Sequence, residues 1–501
     1  MSAVDTTTDA MTGTVVPADE ILVAGEWRRG DGAGSESIDP ADGSVITTVH
    51  HASVHDVDEA VARGAEASAA WGRRLPHERA RHLHRIADGI ERAAERLARL
   101  QTRDTGKTLT ETTALVASAS GTFRYMAGAL ETFDEELTTQ RGPSLTMSVH
   151  EPIGVIGAIT PWNSPIASDA QKIAPALAAG NAVVLKPAEW TPLVSLALGR
   201  IITESGLPPG LVSVLPGAGS VVGDAIVRHP GIGKVSFTGG TTTGRLIAHA
   251  AADKLMPVTL ELGGKSPAIV FEDADFEAAI AGILFGIYSS SGQSCIAGSR
   301  LFLPSARAEE FLERLVKAVA RLRIGHGLDP VTQVAPLVHH RHRDSVAGHV
   351  DRARAAGGEV LVGGEVPEGD AYAAGAYYRP TVIAGLDNSS PTCQDEIFGP
   401  VLSVLTYDDE DDLVALANDS VYGLACGLWT RDYRTAWRVA RRIDAGTVWI
   451  NTYKQFSIST PFSGMKESGL GTEKGRRGIA EYTRQKSLYW GLDEAPHPWA
   501  G

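Results

Sequence analysis

The sequence predicts an α/β protein built on parallel sheets, and three observations support this fold class. From Glu151 onward, the short apolar runs GVIGAIT, NAVVLKP, LVSVLPG and KVSFTGG are each followed by a segment of helical character. These runs are apolar at nearly every position, which is typical of strands buried on both faces. The length of 501 residues predicts about two to four domains.

The segments before this alternation have a different character. Residues 1–20 are predicted to be a disordered tail, and residues 21–50 combine short β-prone pieces with glycine and Asp-Pro turn signals, which predicts hairpins. From Asp56 to about Glu136, apolar residues recur at helical spacing. We therefore expect several amphipathic helices in this region.

A second α/β block begins soon after Gly263 and continues to about Asn451. Within it, Phe276 to Tyr288 is apolar on nearly every face and predicts a buried helix, which leads into the polar loop SSSGQSC. No linker composition marks the boundaries between domains.

Composition excludes several classes of protein. Lys and Arg number 46 against 60 Asp and Glu, a formal net charge of −14, which argues against a general nucleic-acid binder. No apolar run reaches about 18 residues, and the N-terminus lacks the pattern of a secretory signal. Three cysteines are too few for a disulfide framework and fit a reducing compartment. We expect a cytoplasmic protein without membrane or nucleic-acid partners and without a metal.

Two residues are candidates for covalent chemistry. Cys295 lies in the small-residue loop after the predicted buried helix, where a thiolate nucleophile can be presented, although a lone cysteine is more often structural. Glu261 lies in an apolar strand-like run, where burial would raise its pKa and suit it to general-base work. The alternative for Glu261 is a strand-end carboxylate that points to water.

Three further segments fit an oxyanion site and a dinucleotide site. Asn163 follows the run GVIGAI and can donate to an oxyanion, or form an Asx turn between two prolines. The turn FTGGTTTG, with Gly239 and Gly244, lets a helix N-terminus approach a diphosphate, but it does not fit GxGxxG and also suits a plain turn. Lys186 and Glu189 can bind ribose hydroxyls, or form a solvated pair.

Taken in order, these segments resemble the NAD(P)-dependent aldehyde dehydrogenase superfamily, in its hydrolytic, non-acylating branch. The resemblance runs from about Leu22 to Trp490 and includes EPIGVIGAITPWN, PALAAGNAVVLKPAEWTP, FTGGTTTG, LELGGKSP, GQSC, EIFGPV and PFSGMKESGLGTEKGRRGIAEYT. The pair LELGGKSP and GQSC, with PWN upstream and EIFGP downstream, is highly specific.

The resemblance implies roles for the catalytic residues. Cys295 would attack the aldehyde and form a thiohemiacetal, and the Asn163 amide with the Cys295 N–H would hold the oxyanion. After hydride transfer to the nicotinamide leaves a thioester, Glu261 would activate the water that releases the acid. Cys393 and Cys426 lie outside any such motif and are expected to be buried or incidental.

The resemblance also implies a cofactor site. Its residues are Ile159, Thr160, Pro161, Trp162, Lys186, Glu189, Gly223, Phe237, Thr238, Gly239, Gly240, Gly244, Leu262, Glu396 and Phe398. A carboxylate at Glu189 would accept from the ribose 2′-OH and repel a 2′-phosphate, so NAD is predicted over NADP. Gly240 replaces the serine often found there, which removes a hydroxyl contact to phosphate.

The sequence indicates the identity of the substrate less specifically than it indicates the catalytic and cofactor residues. The expected pocket consists of Ser164, Ser168, Gln171, Ile296, Lys454, Phe456 and Phe462. Ser164, Ser168 and Gln171 stand where relatives often carry bulky apolar residues, which predicts a roomier, more polar tunnel. Lys454 at the mouth would favour an anionic or polar aldehyde, or it is a solvated surface lysine. Polar, aromatic or heterocyclic aldehydes are expected rather than short alkanals.

The resemblance finally implies a domain layout and an assembly. We expect a doubly wound, Rossmann-like cofactor domain at 21–130 and 152–262, and a second α/β catalytic domain at 263–480. A protruding β-ribbon at 131–151 and 481–497 would join subunits into a homodimer or homotetramer. Two rivals are a CoA-acylating semialdehyde dehydrogenase, which typically lacks the base glutamate, and a catalytically silent NAD-binding protein.

Overall fold

A computed structural model describes residues 19–140, 142–492 and 499, so most of the predicted tail and the end of the predicted ribbon lie outside the described residues. The predicted α/β fold with parallel sheets is confirmed. Two large sheets are flanked by helices, and a separate antiparallel ribbon stands beside them.

The strands are short and are numbered in chain order. They are β1 (Glu20–Val23), β2 (Glu26–Arg29), β3 (Gly34–Ile38), β4 (Val45–His50), β5 (Glu136–Leu137), β6 (Ser144–Pro152), β7 (Val155–Ile159), β8 (Ala182–Lys186), β9 (Val212–Val214), β10 (Lys234–Thr238), β11 (Val258–Glu261), β12 (Pro267–Val270), β13 (Arg300–Pro304), β14 (Glu359–Val362), β15 (Thr381–Ala384), β16 (Val401–Tyr407), β17 (Tyr422–Gly423), β18 (Ala425–Trp429), β19 (Thr447–Ile450), β20 (Met465–Lys466), β21 (Gly469–Leu470) and β22 (Thr483–Gly491).

The helices are numbered in the same way. They are α1 (Val54–Trp71), α2 (Pro76–Arg92), α3 (Ala94–Thr105), α4 (Leu109–Glu131), α5 (Pro165–Ala178), α6 (Leu193–Glu204), α7 (Asp224–Arg228), α8 (Thr241–Ala252), α9 (Phe276–Tyr288), α10 (Ala308–Val319), α11 (His340–Ala355), α12 (Asp370–Ala373), α13 (Pro391–Gln394), α14 (Glu410–Asn418), α15 (Tyr433–Ala440) and α16 (Arg477–Ala480). Short 3₁₀ turns follow α9 at Ser289–Gly292 and precede α10 at Ser305–Arg307.

The first large sheet has the order β2-β1-β9-β8-β7-β10-β11-β21. The central strands β9, β8, β7, β10 and β11 are parallel, and β7 and β8 are buried at every residue. From β7 the chain first adds β8 and β9 on one side and later adds β10 on the other. The switch point therefore lies between the carboxyl ends of β7 and β10, where open α/β sheets bind ligands.

The second large sheet has the order β14-β15-β16-β13-β12-β18-β19. Its strands are parallel except for the edge strand β14. The two sheets follow one another at β11 and β12, where the segment LELGGKSP passes from one to the other. Strand β21 returns to pair with β11, which ties the end of the chain to the first sheet.

The predicted ribbon segments pair with each other. Strand β22 lies antiparallel to β6 from Thr483 opposite Pro152 to Gly491 opposite Ser144, and β5 pairs along the other edge of β6. Most side chains of β22 are exposed. The ribbon therefore presents an exposed β22 face.

The predicted helices in the N-terminal region are confirmed as α1 to α4. Helix α1 begins with a capping box, in which Ser53 and Asp56 satisfy each other's backbone N–H groups. The hairpins β1–β2 and β3–β4 precede them, also as predicted. Helix α9 has the predicted bounds but is less buried than expected: Phe285 is 49% exposed, because one face of the helix lies at the surface.

Among the helices that the structure describes, none is long and apolar enough to cross a membrane.

Candidate functional site

A cavity of about 1010 Å³ opens at the switch point of the first sheet. All the predicted cofactor residues line it except Glu189 and Gly244. The lining members are Ile159, Thr160, Pro161, Trp162, Lys186, Gly223, Phe237, Thr238, Gly239, Gly240, Leu262, Glu396 and Phe398, and Asn163 and Cys295 join them. This volume is at the upper end of the usual range for small-molecule sites, about 300–1,000 Å³.

The two exceptions lie next to the cavity. Gly244 faces Leu262, where an added Cβ would come within 2.5 Å of the leucine Cδ2, so this glycine lets α8 pack closely against the end of β11. Glu189 is exposed, and its charge acts on Lys186. Lys186 itself is 5% exposed and donates to the Pro187 carbonyl at 3.0 Å, and burial lowers its pKa to about 8.

Cys295 lies at the end of a loop whose close backbone contacts require glycine at two positions. An added Cβ on Gly292 would lie 2.0 Å from the Gly399 carbonyl oxygen, and one on Gly264 would lie 2.3 Å from the Cys295 carbonyl oxygen. The two glycines therefore let the loop and the sheet connection approach closely. Burial, with the charges of Glu396 and Glu261, raises the pKa of the Cys295 thiol to about 12.

The amide of Asn163 reaches the same loop. Its Nδ2 donates to the carbonyl of Gln293 at 3.0 Å, and Gln293 is held by the Val338 N–H, which donates to its Oε1 at 2.8 Å. In the described part of the chain, the backbone N–H of Cys295 has no hydrogen-bond acceptor. The amide and this N–H are the donors that an oxyanion beside the sulfur requires.

Glu261 ends strand β11 and is 4% exposed, so it does not point to water. Both carboxylate oxygens lack a hydrogen-bond partner among the described residues. Burial, then the nearby charge of Glu473, raises the pKa of Glu261 well above its usual range. An unsatisfied buried carboxyl of this kind is suited to accept a proton.

Glu396 contacts the glycine pair Gly263 and Gly264, which follows β11. The Gly264 N–H donates to its Oε1 at 3.0 Å, and an added Cβ on Gly263 would lie 2.4 Å from its Oε2. Burial raises the pKa of Glu396 to about 7. Phe398 packs edge-on against Trp162, with ring centroids 5.1 Å apart.

The predicted substrate residues do not line the large cavity. The hydroxyls of Ser164 and Ser168 lie 3.0 Å apart, and the rings of Phe456 and Phe462 meet edge to face at 5.6 Å. Lys454 is half-buried, and its Nζ donates to the Ser289 hydroxyl at 2.8 Å. Two further members complete the set, namely Gln171, which is half-buried, and Ile296, which is buried next to the nucleophile.

Sequence reasoning did not predict the buried ion pair of Lys172 and Glu473, whose charges act on Glu261. Lys172 of α5 is fully buried, and its Nζ lies 2.5 Å from Oε1 of Glu473 and 3.0 Å from the Ser236 hydroxyl. It also missed Lys474, whose pKa is lowered by burial and whose charge acts on Cys295. A lysine inside the apolar stretch of α5 was the only available signal, because Glu473 lies 301 residues further along the chain.

Comparison with known proteins agrees with this geometry. A model of the aldehyde dehydrogenase family matches residues 27–488. Among solved structures, a Burkholderia cenocepacia protein assigned to the aldehyde dehydrogenases is 41% identical, with 96% of this chain and 99% of that chain covered and a TM-score of 0.94. PnpE from Pseudomonas sp. WBC-3 is 39% identical over 96% and 99%, also with a TM-score of 0.94.

Betaine aldehyde dehydrogenase from Staphylococcus aureus, solved in complex with NAD+, is 37% identical over 96% of each chain, with a TM-score of 0.94. Both kinds of comparison thus cover nearly the whole sequence. The chain belongs to the aldehyde dehydrogenase family.

Proposed function

We propose that this enzyme oxidises an aldehyde to a carboxylic acid with NAD, through a thiohemiacetal and a thioester on Cys295. The observation that carries the proposal is the approach of Asn163 and Glu261 to the Cys295 loop at the end of the cavity. The substrate is a polar, aromatic or heterocyclic aldehyde, because serines and two phenylalanine rings surround its expected path.

The cavity residues fit a dinucleotide. Gly240 is the N-cap of α8, and an added Cβ there would meet no atom within 4 Å, so the helix N-terminus is open to a diphosphate. Lys186 and Glu189 would hold the adenosine ribose, and Glu396 and Phe398 would contact the nicotinamide ribose and ring. The exposed carboxylate of Glu189 favours NAD over NADP. When bound, NAD would accept the hydride from the substrate carbon.

The residues of this chain would carry the covalent steps. The Cys295 sulfur forms a bond to the aldehyde carbon as the carbonyl π bond opens and the thiol proton passes to solvent. The resulting oxyanion is held by the Asn163 amide and the Cys295 N–H. Loss of hydride from that carbon leaves a thioester. Glu261 then takes a proton from water, the hydroxide bonds to the acyl carbon, and the carbon–sulfur bond breaks to release the acid.

The electrostatics of the site support Glu261 as the base. The raised pKa of Glu261, which is caused mainly by burial, makes it a stronger proton acceptor than an ordinary carboxylate.

The first test separates the two chemical steps. Cys295→Ala should abolish NADH formation from aldehydes while NAD binding survives, and Cys426→Ala, which removes a buried thiol from the second sheet, is the matched control. Glu261→Gln should retain the first burst of NADH but lower the steady-state rate by about 100-fold or more. Retained turnover in Cys295→Ala, or an unchanged steady state in Glu261→Gln, would overturn the corresponding role.

Both rivals make different predictions in the same assay. A CoA-acylating enzyme would give acyl-CoA and no free acid, and the buried Glu261 argues against it. A catalytically silent protein would bind NAD but yield no NADH with any aldehyde.

We propose further that the two sheets mark two domains, with a cofactor domain at 21–130 and 152–262 and a catalytic domain at 263–480. Strand β21 is an exception, since it belongs to the first sheet. The ribbon at 131–151 and 481–497, of which 493–497 lie outside the described residues, would join a homodimer or homotetramer. Three free cysteines support a reducing compartment such as the cytoplasm.

A further inference from the structure

Two lysine side chains reach the surroundings of Cys295 without a carboxylate partner. The Lys454 ammonium donates to the Ser289 hydroxyl, and the Lys474 ammonium lies 4.0 Å from the ring centroid of Phe456 and 5.2 Å from that of Phe462. Both lysines are half-buried. In the ranges 19–140 and 142–492, neither forms an ion pair within 4.0 Å.

Glu111 is the carboxylate whose charge acts on Lys454, and it is already engaged. Lys107 and Glu111 are the charged side chains that act on it. Glu111 Oε1 accepts from the Ser290 N–H at 2.5 Å, and its Oε2 accepts from the Thr108 N–H at 3.2 Å. Because Lys107 adds a second positive charge, this side of the site has an excess of positive charge.

Within the described ranges, the charged groups near Lys474 also form no ion pair that would neutralise its positive charge. Glu473, Glu261 and the Cys295 thiol act on it. Glu473 is paired with Lys172, and among the described residues Glu261 forms no ion pair with Lys474. The two aromatic rings stabilise the half-buried ammonium in part through cation–π contacts, and a ligand of opposite charge would compensate it further.

The backbone at both lysines is also unusual. Lys454 has φ +52° and Lys474 has φ +60°, in the left-handed region that favours glycine. Such residues persist only where the surrounding structure holds them, and they concentrate at binding sites. The fold thus keeps two long cationic side chains in a costly conformation next to the nucleophile.

We propose that Lys454 and Lys474 bind an anionic group of the substrate, so that the enzyme prefers aldehydes that carry a carboxylate. The proposal rests on the proposed aldehyde oxidation and names its substrate class. Phe456 and Phe462 lie next to Lys474, where they would contact a flat or unsaturated segment between the carboxylate and the aldehyde. A cationic aldehyde, such as betaine aldehyde, would be repelled by the same ammonium groups.

A different role for the lysines predicts a different result. Both ammonium groups lower the pKa of the Cys295 thiol. If this were their only role, their removal would slow every aldehyde by the same factor. Recognition of a carboxylate instead requires a loss that depends on the charge of the substrate.

The test compares three aldehydes of similar shape: 4-carboxybenzaldehyde, its neutral methyl ester, and 4-(trimethylammonio)benzaldehyde. NADH formation gives kcat/KM for each with the wild-type enzyme and with Lys454→Met and Lys474→Met, which keep the aliphatic stem. Lys317→Met is the matched control, because Lys317 is an exposed lysine on α10.

We expect the wild type to prefer the carboxylate over the ester by about tenfold or more, and the cationic aldehyde to be the poorest substrate. Each variant should lower kcat/KM for the carboxylate by about tenfold more than it lowers kcat/KM for the ester. Lys317→Met should resemble the wild type. Equal losses for carboxylate and ester, or no preference in the wild type, would overturn the proposal while the oxidation itself stands.

Two further readouts keep the outcome clear. If no aldehyde yields NADH, the proposed function fails and the substrate class fails with it. If a variant does not fold, the salt dependence of the wild type decides: raising the ionic strength should lower kcat/KM for the carboxylate and not for the ester. Equal salt dependence for the two substrates would overturn the proposal.

Discussion

The buried ion pair of Lys172 and Glu473 can be tested for its contribution to stability and for its effect on the pKa of Glu261. Lys172 is 0% exposed and Glu473 5% exposed at the side chain, and their charged atoms lie 2.5 Å apart. The substitution Glu473→Gln keeps the shape and removes the negative charge. Lys172 would then be a buried ammonium whose hydrogen-bond partners, the Ser236 hydroxyl and the new amide oxygen, carry no negative charge.

The expected cost follows from burial. Breaking a buried ion pair by removing one partner typically lowers the free energy of unfolding by about 3–5 kcal/mol, because the remaining charge cannot be solvated. A second effect concerns Glu261. Because the charge of Glu473 raises the pKa of Glu261, its removal should lower that pKa, and the acid limb of the steady-state pH profile should move to lower pH.

Urea unfolding measures the first effect, and the pH dependence of kcat measures the second. The double variant Lys172→Met with Glu473→Gln is the matched control, since it removes the stranded charge and should recover much of the lost stability. A loss below about 1 kcal/mol in the single variant, or a double variant less stable than the single one, would refute the reasoning. An unchanged acid limb would show that Glu473 does not influence the base.

Three further predictions concern other parts of the site. Glu189→Ala should lower the preference for NAD over NADP by about tenfold, measured as the ratio of kcat/KM values, and an unchanged ratio would place the selection elsewhere. Gly264→Ala should lower kcat by about 100-fold, because the new Cβ would lie 2.3 Å from the Cys295 carbonyl oxygen and displace the nucleophile; normal kcat would refute this. Burial raises the pKa of Asp169 to about 7, so its stabilisation is present below about pH 4 and lost as the pH rises through 7. Asp169→Asn should therefore raise stability at pH 8.5, by up to about 4 kcal/mol in denaturant unfolding, with little change at low pH; no gain at pH 8.5 would contradict this.

The fold was largely predictable because its central strands are short apolar runs, each followed by a helical segment. The runs that form β7 and β8 are apolar except for Lys186 at the end of β8, and each precedes a helix, so the parallel arrangement follows from the pattern. The exposed face of α9 was not predictable. Its sequence is apolar on nearly every side, and only the packing of the second sheet decides which side is covered.

The site was predictable only where its residues lie in specific motifs. Cys295, Glu261 and Asn163 belong to such segments, and the structure places Asn163 at the Cys295 loop with Glu261 close enough for its charge to act on the thiol. Lys172 and Glu473 carry no local signal, because they meet through tertiary contact over 301 residues. Pairwise chemistry between distant segments is decided by the fold and not by local pattern.

Several of the non-glycine residues with positive φ lie around the nucleophile, although others, such as Ala24 and Leu255, lie elsewhere in the fold. Ser290, Ser291, Phe398, Lys454 and Lys474 all have positive φ without being glycine, and each lies in a segment that contacts or flanks the Cys295 loop or the cavity. Each such conformation costs about 1–3 kcal/mol and survives only where packing holds it. The unsatisfied carboxylate of the predicted base adds a further cost at the same place. At this site a substrate and a cofactor would supply the missing partners when they bind, which would offset these costs.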